Sequence, residues 1–111
     1  VAAAPPKPAV VARAEPIDEF AEVPTFGRPQ LAFQWGLRAL EAGRFGPAAA
    51  ALEQAVTLDP TFALAHRRLG DAYMGLENWK GVRGSYAIFV ALKPDDPDAK
   101  RLKAILRDLP E

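Results

Sequence analysis

The sequence predicts an all-α fold in which two antiparallel helix-turn-helix units are followed by a capping helix, five helices in all. Three observations lead to this prediction. Residues recur at a fixed offset of 34, so that Gly36 returns as Gly70 and Pro60 returns as Pro94. Prolines and short polar residues mark helix boundaries, and the last predicted helix has one apolar side. A period of this length is typical of solenoids, in which each unit must stack on its neighbour to bury its apolar face.

The first two helices are bounded by proline and glycine. Pro29 suits the first position of a helix, where its missing N–H donor costs nothing, and this helix is predicted to reach about Ala42. Gly43 follows as a C-terminal cap. Pro47 opens the second helix, which is rich in alanine and runs through Leu58 to an Asp-Pro stop.

The third and fourth helices begin after short polar residues. Thr61 is predicted to cap the third helix, which runs to about Gly75. Asn78 is predicted to cap the fourth, which runs to about Leu92 before a Lys-Pro pair. Because the connections are short, we expect consecutive helices to lie antiparallel.

The fifth helix is predicted to cap the array. Asp96 and Pro97 form a pair of cap and first helical position. The apolar residues of this helix share one face: Leu102, Ile105, Leu106 and Leu109. Its opposite face is basic, so it can remain in water. Arrays of this kind usually need about three repeats for stability, and the capping helix compensates for the missing one.

Glycines at four helical positions carry different predictions. Gly36 and Gly70 are predicted to lie where the two helices of a unit cross most closely, since a Cβ there would push them apart. Gly81 and Gly84 each cost up to about 1 kcal/mol relative to alanine in a helix interior. They either permit the close approach of another helix or are weaknesses that the fold tolerates.

The residues within each unit resemble a known family. The second unit reads HRRLGDAY over residues 66–73, continues with Val82 and Tyr86, and closes at Pro94. This is similar to the tetratricopeptide repeat, whose pattern is an aromatic residue, Leu-Gly-x-x-Tyr, a small residue, an aromatic residue and a closing proline. The first unit has the same order of positions: Trp35, Gly36, Ala39, Ala48, Leu52, Ala55 and Pro60.

The resemblance implies a domain at residues 29–111 that forms a short right-handed superhelical array. Its repeats are 29–62 and 63–96, and its capping helix is 97–109. Some positions depart from the family pattern: Ala32, Ala39 and His66 replace aromatic residues, and Val82 and Phe89 replace small ones. We therefore expect the second unit to pack differently, with the bulky Phe89 filling space beside the capping helix.

In this family, the first helix of each unit lines a concave groove that accepts an extended peptide or a helix. Carried over position by position, the resemblance implies a groove lined by Gln30, Phe33, Gln34, Leu37, Glu41, Leu64, Arg67, Arg68, Asp71, Met74, Arg101 and Ile105. This surface is partly apolar and partly cationic. We expect a ligand with one or two large apolar anchors and a carboxylate bound by arginine. The alternative is that the arginines are solvated and the apolar residues pack within the chain.

One function within the family is not expected. Its chaperone-binding members hold the terminal carboxylate of a ligand with lysines and asparagines that project into the groove. The matching positions here carry Phe33, Leu37, Arg68, Asp98 and Leu102. The resemblance therefore does not imply a co-chaperone role.

The N-terminal segment, residues 1–28, has a composition of its own. It begins with an Ala/Pro tract without apolar periodicity, which predicts an extended linker between domains. Apolar residues then recur every three positions among acidic residues: Ile17, Phe20, Val23 and Phe26. They predict a short amphipathic turn near residues 17–26 that docks on the repeats.

Two places on the repeats are open to this segment. It covers the free end of the array beside the first helix, or it folds into the groove of its own or a neighbouring chain. The second hypothesis follows from matching chemistry, with Phe20 against Phe33 and Glu22 near Arg67. In a neighbouring chain, it would make the segment an exchanged arm.

Composition excludes several classes of partner and site. The 14 basic and 14 acidic side chains give no net charge, which favours neither nucleic acid nor a membrane surface as a partner. The absence of cysteine excludes disulfides and thiolate metal sites. No apolar run approaches the roughly 20 residues that span a bilayer. A chain that begins with Val1 and is rich in Ala and Arg indicates a processed product or a piece of a longer, bacterial protein.

No constellation of residues indicates catalysis, a metal or a cofactor. His66 is the only histidine, and the nearest serine, Ser85, is predicted on a different helix. His66 occupies an aromatic position of the pattern and is interpreted as a packing residue. The acidic residues at 95–98 are explained by capping and the helix dipole. We expect the chain to bind another protein, as a module of a larger scaffold or assembly protein, and we do not expect it to be an enzyme. The alternative is a homodimer formed through the array ends or by exchange of the N-terminal segment.

Overall fold

The computed structural model describes residues 18–111, which form five α-helices and no strands. In chain order, these are α1 (Pro29–Glu41), α2 (Phe45–Leu58), α3 (Ala63–Gly75), α4 (Trp79–Leu92) and α5 (Pro97–Asp108). Helices α1 and α2 form one hairpin, α3 and α4 form the second, and α5 packs on α4. The predicted helical array with a capping helix is confirmed. The Ala/Pro tract and Ile17 lie outside the described residues.

The observed caps test the predicted helix starts. Asn78 accepts a hydrogen bond from the Gly81 N–H at 3.0 Å, and Asp96 accepts one from the Asp98 N–H at 2.8 Å. Both predicted caps are confirmed. Helix α2 begins at Phe45, two residues before the proline that was predicted to open it. Proline is compatible with the first turn of a helix at more than its first position, because none of these N–H groups has a partner within the helix.

The predicted cap of α3 is wrong. Phe62 occupies the N-cap position and makes no side-chain cap hydrogen bond. Thr61 instead donates its backbone N–H and its hydroxyl to the Asp59 carboxylate, at 3.1 and 2.8 Å. The aspartate side chain thus forms an Asx-turn before the helix, a hydrogen-bonded turn that Asp favours.

Helix α1 ends as a Schellman motif. The Arg44 N–H donates to the Ala39 carbonyl at 2.9 Å, and the Gly43 N–H donates to the Leu40 carbonyl at 3.0 Å. The closing residue has a φ of 76°, which only glycine adopts without strain. The sequence prediction of a glycine cap here is confirmed.

Helix α3 ends in the same motif without a glycine. Asn78 donates its N–H to the Tyr73 carbonyl at 2.9 Å, and Glu77 donates its N–H to the Met74 carbonyl at 3.1 Å. Glu77 lies 34 positions after Gly43 and has a φ of 55°. The second repeat therefore holds a glutamate in the left-handed backbone conformation that its equivalent glycine adopts in the first.

Replacing Glu77 with glycine is expected to stabilise the domain by about 0.5–1 kcal/mol. A side chain in left-handed backbone costs about 1–2 kcal/mol, and the freedom of glycine in the unfolded chain offsets part of the gain. Urea unfolding followed by circular dichroism measures the change. Glu77→Ala is the matched control, since it keeps a Cβ and should gain nothing. Equal stabilities of the two variants would contradict the prediction.

The close helix crossings are where the sequence predicted them. An ideal Cβ on Gly36 would lie 2.8 Å from Leu52 Cγ, and one on Gly70 would lie 2.3 Å from two ring carbons of Tyr86. Gly81 also permits a close approach, because a Cβ there would lie 2.6 Å from the Tyr73 ring. A Cβ on Gly84 would meet nothing within 4 Å. Of Gly81 and Gly84, only Gly84 is therefore a weakness that the fold tolerates.

The capping helix completes the core of the second repeat. Leu102 is fully buried and shares an apolar cluster with Val82, Tyr86 and Phe89 of α4. The cluster places Phe89 against this helix, as its size predicted. A small residue at this position would leave the space beside α5 empty.

Candidate functional site

The first helices of the two repeats and the capping helix carry the predicted groove residues. We call the twelve residues named for the groove above the groove face. Five of them are exposed: Gln30, Gln34, Glu41, Leu64 and Arg101. The others are partly buried: Phe33, Leu37, Arg67, Arg68, Asp71, Met74 and Ile105. Five of these side chains are thus accessible to a ligand, and the other seven are partly covered by the chain's own residues.

Some apolar side chains of the groove face pack within the domain, and one is exposed to solvent. The ring of Phe33 on α1 packs at a tilt of 39° against that of Phe62, the residue before α3, with ring centroids 5.0 Å apart, and this contact joins the two repeats. Met74 and Ile105 pack against the cluster around Leu102. Leu64 is 46% exposed and is the large apolar side chain that the face presents to solvent on α3.

Arg67 joins two helices. Its Nη1 lies 2.5 Å from Asp98 Oδ2 on α5, and its Nε lies 3.9 Å from Asp71 Oδ1. The guanidinium carbon lies 6.0 Å from the centroid of the Phe89 ring, and the side chain is only 11% exposed. The ion pair lowers the pKa of Asp98 below its ordinary value. Arg67 therefore ties the capping helix to the second repeat.

Two other arginines extend this cluster to the surface. Arg68 Nη1 lies 3.1 Å from Asp71 Oδ2, and Arg101 Nη2 lies 3.4 Å from Asp98 Oδ1. Arg101 is 61% exposed. The cluster contains three guanidinium groups and two carboxylates, so it carries one net positive charge at an accessible place.

Two tyrosine hydroxyls make polar contacts between neighbouring helices, one within the second repeat and one between the two repeats. Tyr86 donates to the Asp71 carboxylate, and Tyr73 donates to the Glu53 carboxylate. Burial raises the pKa of Tyr86 above its usual range, and the bond to Asp71 adds to this effect. Burial and the Glu53 bond raise the pKa of Tyr73 to about 12.

These pKa values predict a loss of stability in alkali. A tyrosine in the unfolded chain ionises near pH 10, whereas the folded chain holds both tyrosines neutral to higher pH. Their contribution is fully present below about pH 10 and is lost as the pH rises through 12. A variant carrying Tyr73→Phe and Tyr86→Phe should show a flatter decline of the free energy of unfolding between pH 9 and 12.

Urea titrations at several pH values measure this difference. Both proteins contain the same lysines, so lysine titration cancels in the comparison. The double variant is also expected to be less stable at pH 8, because two carboxylates lose their hydroxyl donors. Parallel curves for the two proteins above pH 9 would contradict the prediction.

His66 is a packing residue. It is buried, and its Nε2 lies 2.8 Å from the Pro60 carbonyl oxygen, an acceptor that assigns the ring proton to Nε2. Nothing within the described part of the chain groups three or more His, Asp or Glu side chains in a way that suits a metal ion. Across residues 18–111, no helix has both the length and the apolarity to cross a membrane.

A second surface lies at the free end of the helical array, on α1 and α2. Residues 18–26 pack on this surface, and we call this segment the strap. Phe20 is 6% exposed and meets Trp35 edge-on, with ring centroids 5.1 Å apart. Glu19 forms an ion pair with Arg38, and Asp18 forms one with Arg44. The ion pair and a bond to the Phe20 N–H lower the pKa of Asp18.

These contacts correct the hypothesis that the segment folds into its own groove. Phe20 packs on Trp35 and not on Phe33, and Arg67 pairs with Asp98 and not with Glu22. Residues 33 and 35 are separated by about 200° around a helix axis, so they point to opposite sides of α1. The strap therefore lies on the side of α1 that faces away from the groove face.

Sequence reasoning missed the residues that receive the strap. They are Trp35, Arg38, Arg44 and Gln54, which we call the strap face. Trp35 stands where the repeat pattern has leucine, and this oversized residue was a usable signal. Gln54 is a lone amide on an alanine-rich helix and offered none.

A family model described as tetratricopeptide repeat matches residues 39–106, more than half of the chain. The matched span runs from the end of α1 into α5 and includes the whole second repeat. No curated protein matches the sequence.

Proposed function

Because the chain belongs to the tetratricopeptide repeat family, we propose that it binds a peptide or helical segment of another protein on its groove face. The family suggests a protein–protein interaction module. Its repeats are typically not catalytic, and we propose no reaction for them. The module would serve a larger bacterial scaffold or assembly protein.

The exposure of Leu64 beside a net positive cluster carries this proposal. An apolar side chain that is almost half exposed can receive an apolar anchor of a ligand. Arg68 and Arg101 present partly exposed guanidinium groups on the same face. Because the Arg67 side chain is only 11% exposed, these two more exposed arginines would bind the carboxylate of the ligand, in competition with their own partners Asp71 and Asp98.

Affinity capture from a native lysate tests the groove face. The intact domain is compared with Leu64→Glu/Arg68→Glu, which removes the apolar anchor site and reverses one cation. A matched control, Ile88→Glu/Lys80→Glu, makes the same change of charge on exposed positions of α4. We expect a protein retained by the intact domain and the control to be reduced at least about tenfold by the groove variant.

Circular dichroism must show that both variants remain folded. Equal retention by all three proteins, or loss by the α4 control alone, would contradict a ligand site on the groove face. The captured partner would then be bound elsewhere on the domain.

Homo-oligomerisation is the alternative function. The strap and α5 cover the two ends of the array, which disfavours pairing through these ends. Exchange of the strap between two copies would keep every contact that it makes within one chain. A mass in solution that doubles with concentration would favour this alternative over binding of a separate protein.

A further inference from the structure

We propose that the strap face is a second peptide-binding site, and that its ligand is a segment of a partner protein with two acidic residues followed by two aromatic residues six positions apart. The strap itself is the resident example of this ligand. The site is separate from the groove face and does not depend on the function proposed for that face. Three features of the strap contacts carry the inference.

The first feature is a pair of aromatic contacts on one tryptophan. Phe20 meets Trp35 edge-on, and Phe26 lies on the same indole with ring centroids 6.0 Å apart. The Arg38 guanidinium carbon lies 5.6 Å from the centroid of the Phe20 ring. Two aromatic side chains of one segment, which turns at residues 18–21, thus converge on Trp35, and this makes their spacing a condition for binding.

The second feature is a pair of main-chain hydrogen bonds made by one side chain. Gln54 donates its Nε2 to the Pro24 carbonyl at 2.8 Å and accepts the Phe26 N–H on its Oε1 at 2.8 Å. The amide thus bonds both main-chain polar groups of an extended segment, two residues apart. Such bonds recognise an extended backbone whatever its side chains, as an added strand does at a sheet edge.

The third feature is the complementary charge of the strap and the strap face, together with an unfilled cleft beside them. The acidic residues before the first aromatic face Arg38 and Arg44. Beside the second aromatic, a shallow cleft of about 330 Å³ remains open between the strap and α2. Its lining is Phe26, Ala50, Glu53, Gln54, Thr57 and Leu58. The strap does not fill this cleft, so a partner with a larger aromatic residue at the position of Phe26 would make additional contacts.

A direct test separates the strap from the domain after folding. A protease recognition sequence is inserted between Gly27 and Arg28, where an added Cβ on the glycine has no neighbour within 4 Å. A dye is attached through Val1→Cys, since the chain has no other cysteine. After cleavage, the anisotropy of the labelled fragment is followed as the protein is diluted.

The fragment is expected to stay bound at tens of micromolar protein and to dissociate on dilution. Phe20→Ala should weaken its binding by about 100-fold, since it removes the aromatic ring that packs on Trp35. The matched control Glu22→Ala, on an exposed strap residue, should change it less than about twofold. An unlabelled peptide of residues 18–27 should displace the fragment, and the same peptide with Phe26→Trp should do so more strongly.

Three outcomes would overturn the proposal. Immediate release at about 100 μM would mean that the strap stays in place only because it is tethered at high local concentration. Loss of helical circular dichroism upon release would make the strap part of the fold, not a ligand. A dimer of the uncut protein that disappears with Phe20→Ala would assign the site to a second copy of this chain in place of a partner protein.

Discussion

Gly70→Ala is expected to destabilise the domain by about 3 kcal/mol, at the upper end of the usual cost of overpacking. The added methyl group would lie 2.3 Å from two ring carbons of Tyr86. That ring is 3% exposed, and its hydroxyl is bonded to Asp71, so it cannot move without breaking a polar contact. The two helices of the second repeat would have to separate. The melting temperature should fall by roughly 12–24 °C.

Gly84→Ala is the matched control for this prediction. It makes the same substitution in a neighbouring helix, where an added Cβ meets nothing within 4 Å. Alanine has the better helix propensity, so this variant should be more stable by about 0.5–1 kcal/mol. Thermal and urea unfolding measure both changes. A Gly70→Ala variant within about 0.5 kcal/mol of the wild type would show that Tyr86 does not hold this crossing together.

Leu102→Ala is expected to cost about 2–5 kcal/mol, which is a large part of the 5–15 kcal/mol typical of a domain. This leucine is fully buried and joins the capping helix to Tyr86 and Phe89. Without it, α5 keeps the Arg67–Asp98 ion pair but loses the centre of its apolar contact. The second repeat would then expose the aromatic residues that α5 covers.

Leu31→Ala on α1 provides the control, because this leucine is 50% exposed and the same atoms are deleted. Its effect should stay within about 0.5 kcal/mol. Urea unfolding measures both variants, and limited proteolysis between α4 and α5 reports release of the capping helix. Similar stabilities of the two variants would mean that α5 is not needed to complete the array.

Much of the helical architecture was readable from local signals. The offset between Gly36 and Gly70 predicted the repeat, and Asn78 and Asp96 predicted caps that the structure contains. Such signals act within one turn of helix, through φ preferences and nearby N–H donors. Thr61 failed because two residues competed for the same turn. Asp59, two positions earlier, accepts hydrogen bonds from the Thr61 N–H and hydroxyl, which holds the threonine in a turn one residue before the N-cap.

The sequence by itself determined the helices, their order and the positions where glycine permits close crossings, because these depend on neighbouring residues and a fixed period. The tertiary structure alone decided what the charged and aromatic side chains do. Arg67 belongs to the predicted groove, yet Asp98, 31 positions later, pairs with it. Phe20 carried an apolar signal, yet only the packed hairpin brings Trp35 and Gln54 to the strap. Such contacts depend on the distance and rotation between helices, which local periodicity does not encode.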